Sequence, residues 1–144
     1  MYNQLRLDKQ LCFRFYTVSR LMTQTYHPML EELGITYPQY LVLMVLWEKD
    51  AQPVNDIAKR LFLNTNTVTP RLKRMEEEGI ISRRKDKADE RKVIVSLTAK
   101  GREMEEEAKG IPARMQKACI DGTVSEEEME QLYPILDTLI NKLK

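Results

Sequence analysis

Long apolar runs are absent from this 144-residue chain, and that absence excludes several classes of protein. No segment approaches the roughly 20 apolar residues that cross a bilayer. The N-terminus MYNQLRLDKQ also lacks the uninterrupted apolar stretch of a secretory signal. We therefore expect a cytoplasmic protein with no membrane partner. Hydrophobic residues still make up 42% of the chain, which is enough for one domain with its own core.

Cysteine and histidine are scarce as well. The two cysteines, Cys12 and Cys119, lie 107 positions apart and are too few for a disulfide scaffold or a zinc site within one chain. In a reducing compartment they are either inert or redox-active. The single histidine, His27, has no second metal-type ligand at a useful spacing, which favours a surface or helix-end position. The sequence therefore predicts no metal site and no cofactor.

The segment from Pro53 to Leu97 carries the most informative pattern in the chain. Its hydrophobic period switches from 3.6 residues to 2 just after Gly79, which predicts two helices followed by two strands. In the second helix Val68, Leu72 and Met75 form one apolar stripe, which leaves the opposite face free. The strands IISRRK and KVIVSL flank a loop, KDKADER, that is too polar to pack. The sequence therefore predicts a winged helix-turn-helix, a mainly α fold with a small β wing.

The net charge of the chain is only +1, but the charges are unevenly distributed. The segment 53–97 holds 11 lysines and arginines against seven aspartates and glutamates, a net charge of +4. The rest of the chain holds 12 against 15, a net charge of −3. A charge run alone is often a solvated surface. Here the positive charge coincides with the helix-turn-helix pattern, which favours double-stranded DNA as the partner.

The free face of the second helix and the hairpin supply the candidate DNA contacts. Asparagine and threonine can contact bases or phosphates, whereas lysine and arginine can reach the phosphate backbone. The proline on this helix is unusual, because an internal proline costs roughly 3 kcal/mol. Either the helix begins nearer Asn66 than Asn64, so that the proline falls in its first turn, or the compact ring is needed for a close approach to DNA. The candidates are Asn66, Thr67, Thr69, Pro70, Lys73 and Arg74 on the helix, with Arg83, Arg84, Lys85 and Lys87 on the hairpin.

Helices are also predicted before this motif. From Asp8 to about Tyr26 apolar residues recur at spacings of four, three and four, which indicates an amphipathic helix. We expect Pro28 to kink or interrupt it and Gly34 to end it. Thr36 and Gln39 then have the spacing of a capping box. The helix that follows, LVLMVLW, is apolar nearly all round and is expected at the centre of the fold.

After the wing, Thr98 is expected to cap a long polar helix that continues through IPARMQKACI with a bend at Pro112. A second capping box, Ser125 to Glu128, opens the last helix, which has a continuous apolar stripe. Nothing else in the monomer is left to cover that stripe. The economical packing is with a second copy in a two-fold dimer.

The chain therefore divides into two functional regions within one compact domain. Residues 1–35 and 98–144 are assigned to helical dimerisation, and residues 36–97 to the winged helix-turn-helix. A two-fold dimer should bind an inverted-repeat operator whose half-sites are about one helical turn, roughly 34–36 Å, apart.

Four stretches resemble the MarR family of transcriptional regulators, and specifically its organic-hydroperoxide-sensing OhrR branch. They are LDKQLCFRFY, ITYPQYLVLMVLWE, NTVTPRLKRMEEEGIISR and DERKVIVSLT. The resemblance implies a homodimer that represses transcription until organic hydroperoxide oxidises it. It implies that Cys12 is the peroxidatic thiol, with Tyr26 and Tyr37 at the positions of tyrosines that hydrogen-bond the thiol. It also implies that Asp89 steadies Arg91 as this arginine enters a DNA minor groove.

Cys119 departs from the single-cysteine members of that branch. Two-cysteine members resolve the oxidised thiol with a cysteine near the start of the C-terminal helices of the other subunit, and Cys119 lies in that part of the chain. The resemblance therefore implies an intersubunit disulfide between Cys12 and Cys119.

Several alternatives stay open at this stage. Cys12 could be a small buried hydrophobe, Cys119 an unreactive interface residue, and the hairpin charges a set of surface ion pairs. The trigger could be a small phenolic ligand bound between the dimer helices and the DNA-binding region. A thiol peroxidase is the competing function from another class, but the chain has no CxxC motif and we expect no enzyme.

Overall fold

Seven α-helices and one three-stranded antiparallel sheet make up the structure, a computed structural model that describes residues 1–144. Two 3-10 turns, Asn3–Leu5 and Leu7–Lys9, precede the first helix. None of the helices combines the length and the apolar character needed to cross a bilayer. The elements are α1 (Leu11–Glu31), α2 (Tyr37–Glu48), β1 (Gln52–Pro53), α3 (Val54–Arg60), α4 (Thr65–Glu77), β2 (Ile81–Lys85), β3 (Val93–Leu97), α5 (Ala99–Ala108), α6 (Ile111–Met115) and α7 (Glu126–Leu143).

Helix α2 lies at the centre of the core, as predicted, and six of its twelve residues are buried. Its capping box is confirmed: the Gln39 amide N–H donates to the Thr36 hydroxyl at 3.4 Å, and the Thr36 amide N–H donates to the Gln39 side-chain oxygen at 3.0 Å. These two bonds satisfy donors that would otherwise be orphaned at the helix start. The cap therefore fixes where this central helix begins.

The winged helix-turn-helix is confirmed in residues 53–97. Val68, Leu72 and Met75 of α4 are buried, so the predicted stripe is the face that packs. Gly79 ends the helix with φ of +76°, a conformation that favours glycine. Strands β2 and β3 then pair from Ile81 opposite Leu97 to Lys85 opposite Val93. The two strands and the loop between them form the wing.

Strand β1 is one element that the sequence did not predict. Gln52 pairs with Val95 and Pro53 with Ile94, which adds a third strand at the edge of the hairpin. Two residues that include a proline carry no period-2 signal, and proline is tolerated only at such an edge.

Two predicted helix boundaries are wrong. Helix α1 begins at Leu11 rather than Asp8, and it passes through Pro28 to Glu31 without interruption. Pro28 has no N–H to donate to the carbonyl four residues earlier in the helix. This part of the helix is exposed, so water can bond that carbonyl instead. In the second half, α5 ends at Ala108 and the chain breaks at Gly110. Pro112 does not bend a long helix but lies in the first turn of α6, where a missing N–H costs nothing.

The apolar stripes of the first and last helices are exposed in the single chain. Leu11, Phe15 and Val18 of α1 are exposed, and α7 has no buried residue at all, with Ile135 57% exposed. Exposed apolar stripes along whole helices are uncommon on a stable monomer. The prediction that nothing in the chain covers the stripe of the last helix is therefore confirmed, and the second copy stays a prediction.

Helix α5 approaches the start of the hairpin so closely that only glycine fits at position 101. A Cβ added to Gly101 would lie 2.3 Å from the backbone oxygen of Ile80, and the Trp47 indole N–H donates to the Gly101 carbonyl at 3.0 Å. We expect Gly101→Ala to lower the free energy of unfolding by about 1–3 kcal/mol, because backbone must move to relieve the overlap. Urea unfolding followed by circular dichroism measures this change.

Gly110→Ala is the matched control for that experiment. A Cβ at Gly110 would meet nothing within 4 Å, and its φ of −87° suits any residue. Its stability should change little. Equal unfolding curves for the Gly101 variant and the wild type would contradict the close approach.

Candidate DNA interface and redox site

The exposed face of α4 presents most of the predicted DNA contacts together. Lys73 and Arg74 are exposed, and no side-chain partner holds Lys73. Arg74 donates through Nε to Glu78 Oε1 at 3.2 Å in an exposed pair, which water and salt weaken. Both cations can therefore turn towards phosphate.

The two threonine hydroxyls already donate within the helix. Thr67 Oγ1 donates to Asn64 Oδ1 at 3.2 Å, and Thr69 Oγ1 donates to the Thr65 carbonyl at 2.7 Å. While these bonds hold, each hydroxyl can only accept. A phosphate oxygen has no proton to give, so the free lone pairs suit amino groups on base edges instead.

The structure decides between the two explanations of Pro70. Helix α4 begins at Thr65 with Asn64 as its cap, so Pro70 is the sixth residue and not part of the first turn. The first of the two alternatives, a helix that begins nearer Asn66 so that Pro70 falls in its first turn, is therefore excluded. Without an N–H at Pro70, the Asn66 carbonyl lacks its helical donor, and both residues are exposed. The remaining explanation, a close approach of the ring to DNA, stays a prediction.

The wing carries an arginine whose guanidinium is held by a neighbouring carboxylate and still faces solvent. Arg91 donates to the Asp89 carboxylate through Nε at 3.1 Å and Nη2 at 3.3 Å, and its own backbone N–H donates to the same carboxylate at 3.1 Å. These bonds hold the pKa of Asp89 below its usual range. The Arg91 side chain is nevertheless 91% exposed. Arg84, Lys85 and Lys87 are also exposed, and none has a side-chain partner.

A cleft of about 170 Å³ separates the wing from the helix-turn-helix. Asn55 of α3, Thr65 of α4 and Lys92 of the wing line it beside Arg83 and Arg91. The first three were missed in the sequence, because only the packing of α3 against the hairpin brings them to one place. Three basic side chains line the cleft, Arg83, Arg91 and Lys92, and such groups attract a DNA phosphate.

Tyrosines gather at the junction of α1 and α2. The ring of Tyr26 lies 4.8 Å from that of Tyr37 and 5.8 Å from that of Tyr40, and Trp47 meets Tyr40 edge-on. Burial and the neighbouring Tyr37, Tyr40 and Cys119 raise the pKa of Tyr26 to about 12. Burial also raises the pKa values of Tyr37 and Tyr40. All three phenols are therefore protonated at neutral pH and can donate hydrogen bonds.

Cys119 lies beside this cluster, and Cys12 does not. Cys119 is half-buried and packs against the core in a five-residue π-helix, Gln116–Ile120. Cys12 is exposed in the first turn of α1, 14 residues before Tyr26 on the same helix. That spacing corresponds to roughly 21 Å along the axis, so Tyr26 cannot bond the Cys12 thiol of its own chain. The structure brings Tyr26, Tyr37 and Cys119 together and leaves Cys12 apart within one protomer.

The packed helix-turn-helix and the basic wing define a winged-helix DNA-binding protein. A profile of the family described as transcriptional regulator SarA/Rot matches residues 24–108. The organic hydroperoxide resistance transcriptional regulator of Bacillus subtilis is 42% identical over 142 residues, which cover 99% of this chain and 95% of the relative. The chain belongs to the MarR family of transcriptional regulators, in the OhrR branch. It is a regulator and not an enzyme, which excludes the thiol peroxidase alternative.

Solved structures of AbfR from Staphylococcus epidermidis share the fold. Reduced AbfR bound to DNA is 38% identical with a TM-score of 0.81, covering 97% of this chain and 96% of that one. Disulfide-formed AbfR is also 38% identical, with a TM-score of 0.65 over 97% and 93% of the two chains. The present fold is therefore nearer to the reduced, DNA-bound form of AbfR than to its disulfide form.

Proposed function

We propose that the protein is a homodimeric repressor that binds an inverted-repeat operator when reduced and leaves it when organic hydroperoxide oxidises Cys12. The observation that carries the proposal is the grouping of Tyr26, Tyr37 and Cys119 on one protomer, with an exposed Cys12 far from them. The relatives add weight, since AbfR is known both reduced on DNA and as a disulfide.

A two-fold dimer completes the redox site from both subunits. The exposed stripe of α1 favours packing of this helix against the partner's helices. Two copies of α1 that run in opposite directions would bring the start of one near the end of the other, since the symmetry exchanges the two ends. Cys12 of one protomer then lies against the tyrosines and Cys119 of the other. In this dimer, residues 1–35 and 98–144 supply the dimerisation helices, and residues 36–97 form the DNA-binding region.

The chemistry follows from the thiolate and the phenols. Neutral tyrosines that donate to sulfur stabilise its charge and favour the reactive form of Cys12. The thiolate attacks one peroxide oxygen, the O–O bond breaks, and the organic fragment leaves and takes a proton as an alcohol. Cys12 is now a sulfenic acid. The Cys119 thiol attacks this sulfur, water leaves, and a disulfide joins the two subunits.

The disulfide also supplies a reason for release from DNA. The Cα atoms of a disulfide lie within about 7 Å, so the helices that carry the two cysteines must move if they start farther apart. Cys119 lies in a π-helix, a widened turn that can give up a residue to an ordinary helical turn. Such a shift would change the separation of the two α4 helices, which no longer fit successive major grooves.

Operator binding before and after hydroperoxide tests the proposal. The probe is a duplex of about 30 base pairs, selected with the reduced protein from a random-sequence pool and called the selected duplex below. One equivalent of cumene hydroperoxide should abolish binding, and dithiothreitol should restore it. Binding that ignores hydroperoxide but is lost on adding a phenolic compound such as salicylate would favour the ligand-triggered alternative.

Replacing Tyr26 or Tyr37 by phenylalanine should slow the reaction of Cys12 with hydroperoxide. The ring stays but the donor is lost, and each unit by which the thiol pKa rises costs about tenfold in thiolate. Stopped-flow loss of free thiol measures the rate. Affinity of the reduced variants for the selected duplex should stay nearly unchanged, because both tyrosines lie outside the DNA-binding face. Tyr2→Phe, at the exposed N-terminus, is the control. If Tyr26→Phe and Tyr37→Phe both react at the wild-type rate, the tyrosines play no part in activating Cys12.

A further inference from the structure

One acidic residue of α4 is bonded to the wing at three points. Glu76 lies in the last turn of α4 and accepts from Arg83 of β2: from the backbone N–H at 2.9 Å, from Nε at 3.4 Å and from Nη2 at 3.2 Å. Strand β2 is an edge strand whose only partner is β3. The carboxylate therefore satisfies a main-chain donor that would otherwise face solvent and holds the side chain of the same residue.

Arg83 differs from the other basic residues of the wing in its burial. Its side chain is 21% exposed, against 91% for Arg91. Its partner Glu76 is 39% exposed, so water partly screens the charge pair, but three hydrogen bonds fix its geometry. Arg83 was predicted as a phosphate or groove contact. Its guanidinium is instead committed to the carboxylate of Glu76 in this structure.

A short connection joins α4 to β2. It consists of Glu78, Gly79 and Ile80, and the Thr98 hydroxyl donates to the carbonyls of Gly79 and Ile80, which fixes where β2 starts. Beyond that start, the three bonds from Arg83 to Glu76 tie the strand back to the helix. A winged helix must place its helix in the major groove and its wing in the neighbouring groove at the same time. The distance between these two parts therefore decides whether both fit one DNA duplex.

We propose that Glu76 is a positioning residue for DNA binding, which sets the wing against the reading helix through Arg83. The proposal has an unusual sign. Removing a negative charge close to DNA ordinarily strengthens binding, because phosphates repel carboxylates. Removing the charge of Glu76 weakens binding, because the wing and the reading helix are no longer held at the correct separation. This loss outweighs the gain in long-range attraction to the phosphates.

The test compares two neighbouring glutamates on the selected duplex. Glu76→Gln should weaken binding by roughly three- to tenfold, since a carboxamide can accept from the Arg83 N–H but cannot replace the charged pair. Glu77→Gln removes the same charge one residue away, where the side chain is exposed and has no partner. Its affinity should equal or exceed that of the wild type. Equal affinities for the two variants, or tighter binding by Glu76→Gln, would overturn the proposal.

Arg83→Gln and the double variant separate positioning from direct contact. If Arg83 acts through Glu76, each single change weakens binding, and the double variant is no better than either, although its net charge equals that of the wild type. A purely electrostatic role predicts instead that the double variant recovers wild-type affinity.

Salt dependence gives a second readout, which separates positioning from a direct phosphate contact. A phosphate contact by Arg83 would lower the slope of log affinity against log salt by about one in Arg83→Gln. Under the proposal the slope stays the same in Glu76→Gln and Arg83→Gln while their affinity falls. Thermal unfolding of each variant checks that the reduced protein remains folded, and Glu76→Asp, which keeps the charge, should recover part of the affinity.

Discussion

Cys12→Ser should bind the selected duplex like the reduced wild type and keep binding it in excess organic hydroperoxide. The hydroxyl of serine is not ionised at neutral pH and cannot attack the O–O bond, so the first step of the mechanism is lost completely. Cys12 is exposed and lies outside the DNA-binding face, so the substitution should not disturb reduced binding. Gel-shift titration with and without cumene hydroperoxide measures both properties. A Cys12→Ser protein that still leaves DNA on oxidation would point to another trigger.

Cys119→Ser separates the two steps of that reaction. Cys12 should still be oxidised, but no intersubunit disulfide can form. On non-reducing electrophoresis the oxidised wild type should give a covalent dimer that dithiothreitol removes, and both serine variants should run as monomers. If the wild type instead runs as a monomer with a small-thiol adduct on Cys12, the two-cysteine mechanism is wrong and Cys119 is a bystander.

Arg91→Ala should weaken binding to the selected duplex by roughly 10- to 100-fold, the largest effect we expect from the DNA interface. A dimer loses two copies of the side chain. Asp89 already orients each Arg91 before DNA binds, so little conformational entropy is lost on binding and little of the contact energy is offset. The loss should be greatest on duplexes with A·T-rich flanks, whose narrow minor grooves attract arginine. Fluorescence anisotropy at several salt concentrations measures it.

Lys87→Ala is the matched control, since it removes one positive charge from the same loop. As a phosphate contact it should weaken binding modestly and equally on all duplexes. Asp89→Ala should weaken binding by less than Arg91→Ala does, because the Arg91 guanidinium remains but no carboxylate holds it in place. If Arg91→Ala binds with unchanged affinity, Arg91 does not contact DNA and its assignment to the interface is wrong.

Local patterns in the sequence determined the main elements of this fold. The stripe on α4, the two capping boxes and the paired strands of the wing each depend on residues a few positions apart, so their spacing alone predicts them. The same reasoning found the apolar stripes of α1 and α7, which are largely exposed. The Asp89–Arg91 pair was predicted from the resemblance to the MarR family, and the structure shows the bond. Reasoning from spacing failed at Pro28, Gly110 and β1, where solvent exposure or a distant strand decides the local structure.

Only the tertiary structure decided which distant side chains meet. Glu76 and Arg83 lie on different elements, and Gly101 meets Ile80 across the start of the wing, so neither contact leaves a periodic signal. Cys119 joins the tyrosines because the chain folds back over 80 positions, whereas Cys12 and Tyr26 are separated by the rigid length of one helix. Sequence spacing fixes the direction of a side chain on its own helix. Contacts between elements depend on how their buried faces pack, which no single stretch of sequence contains.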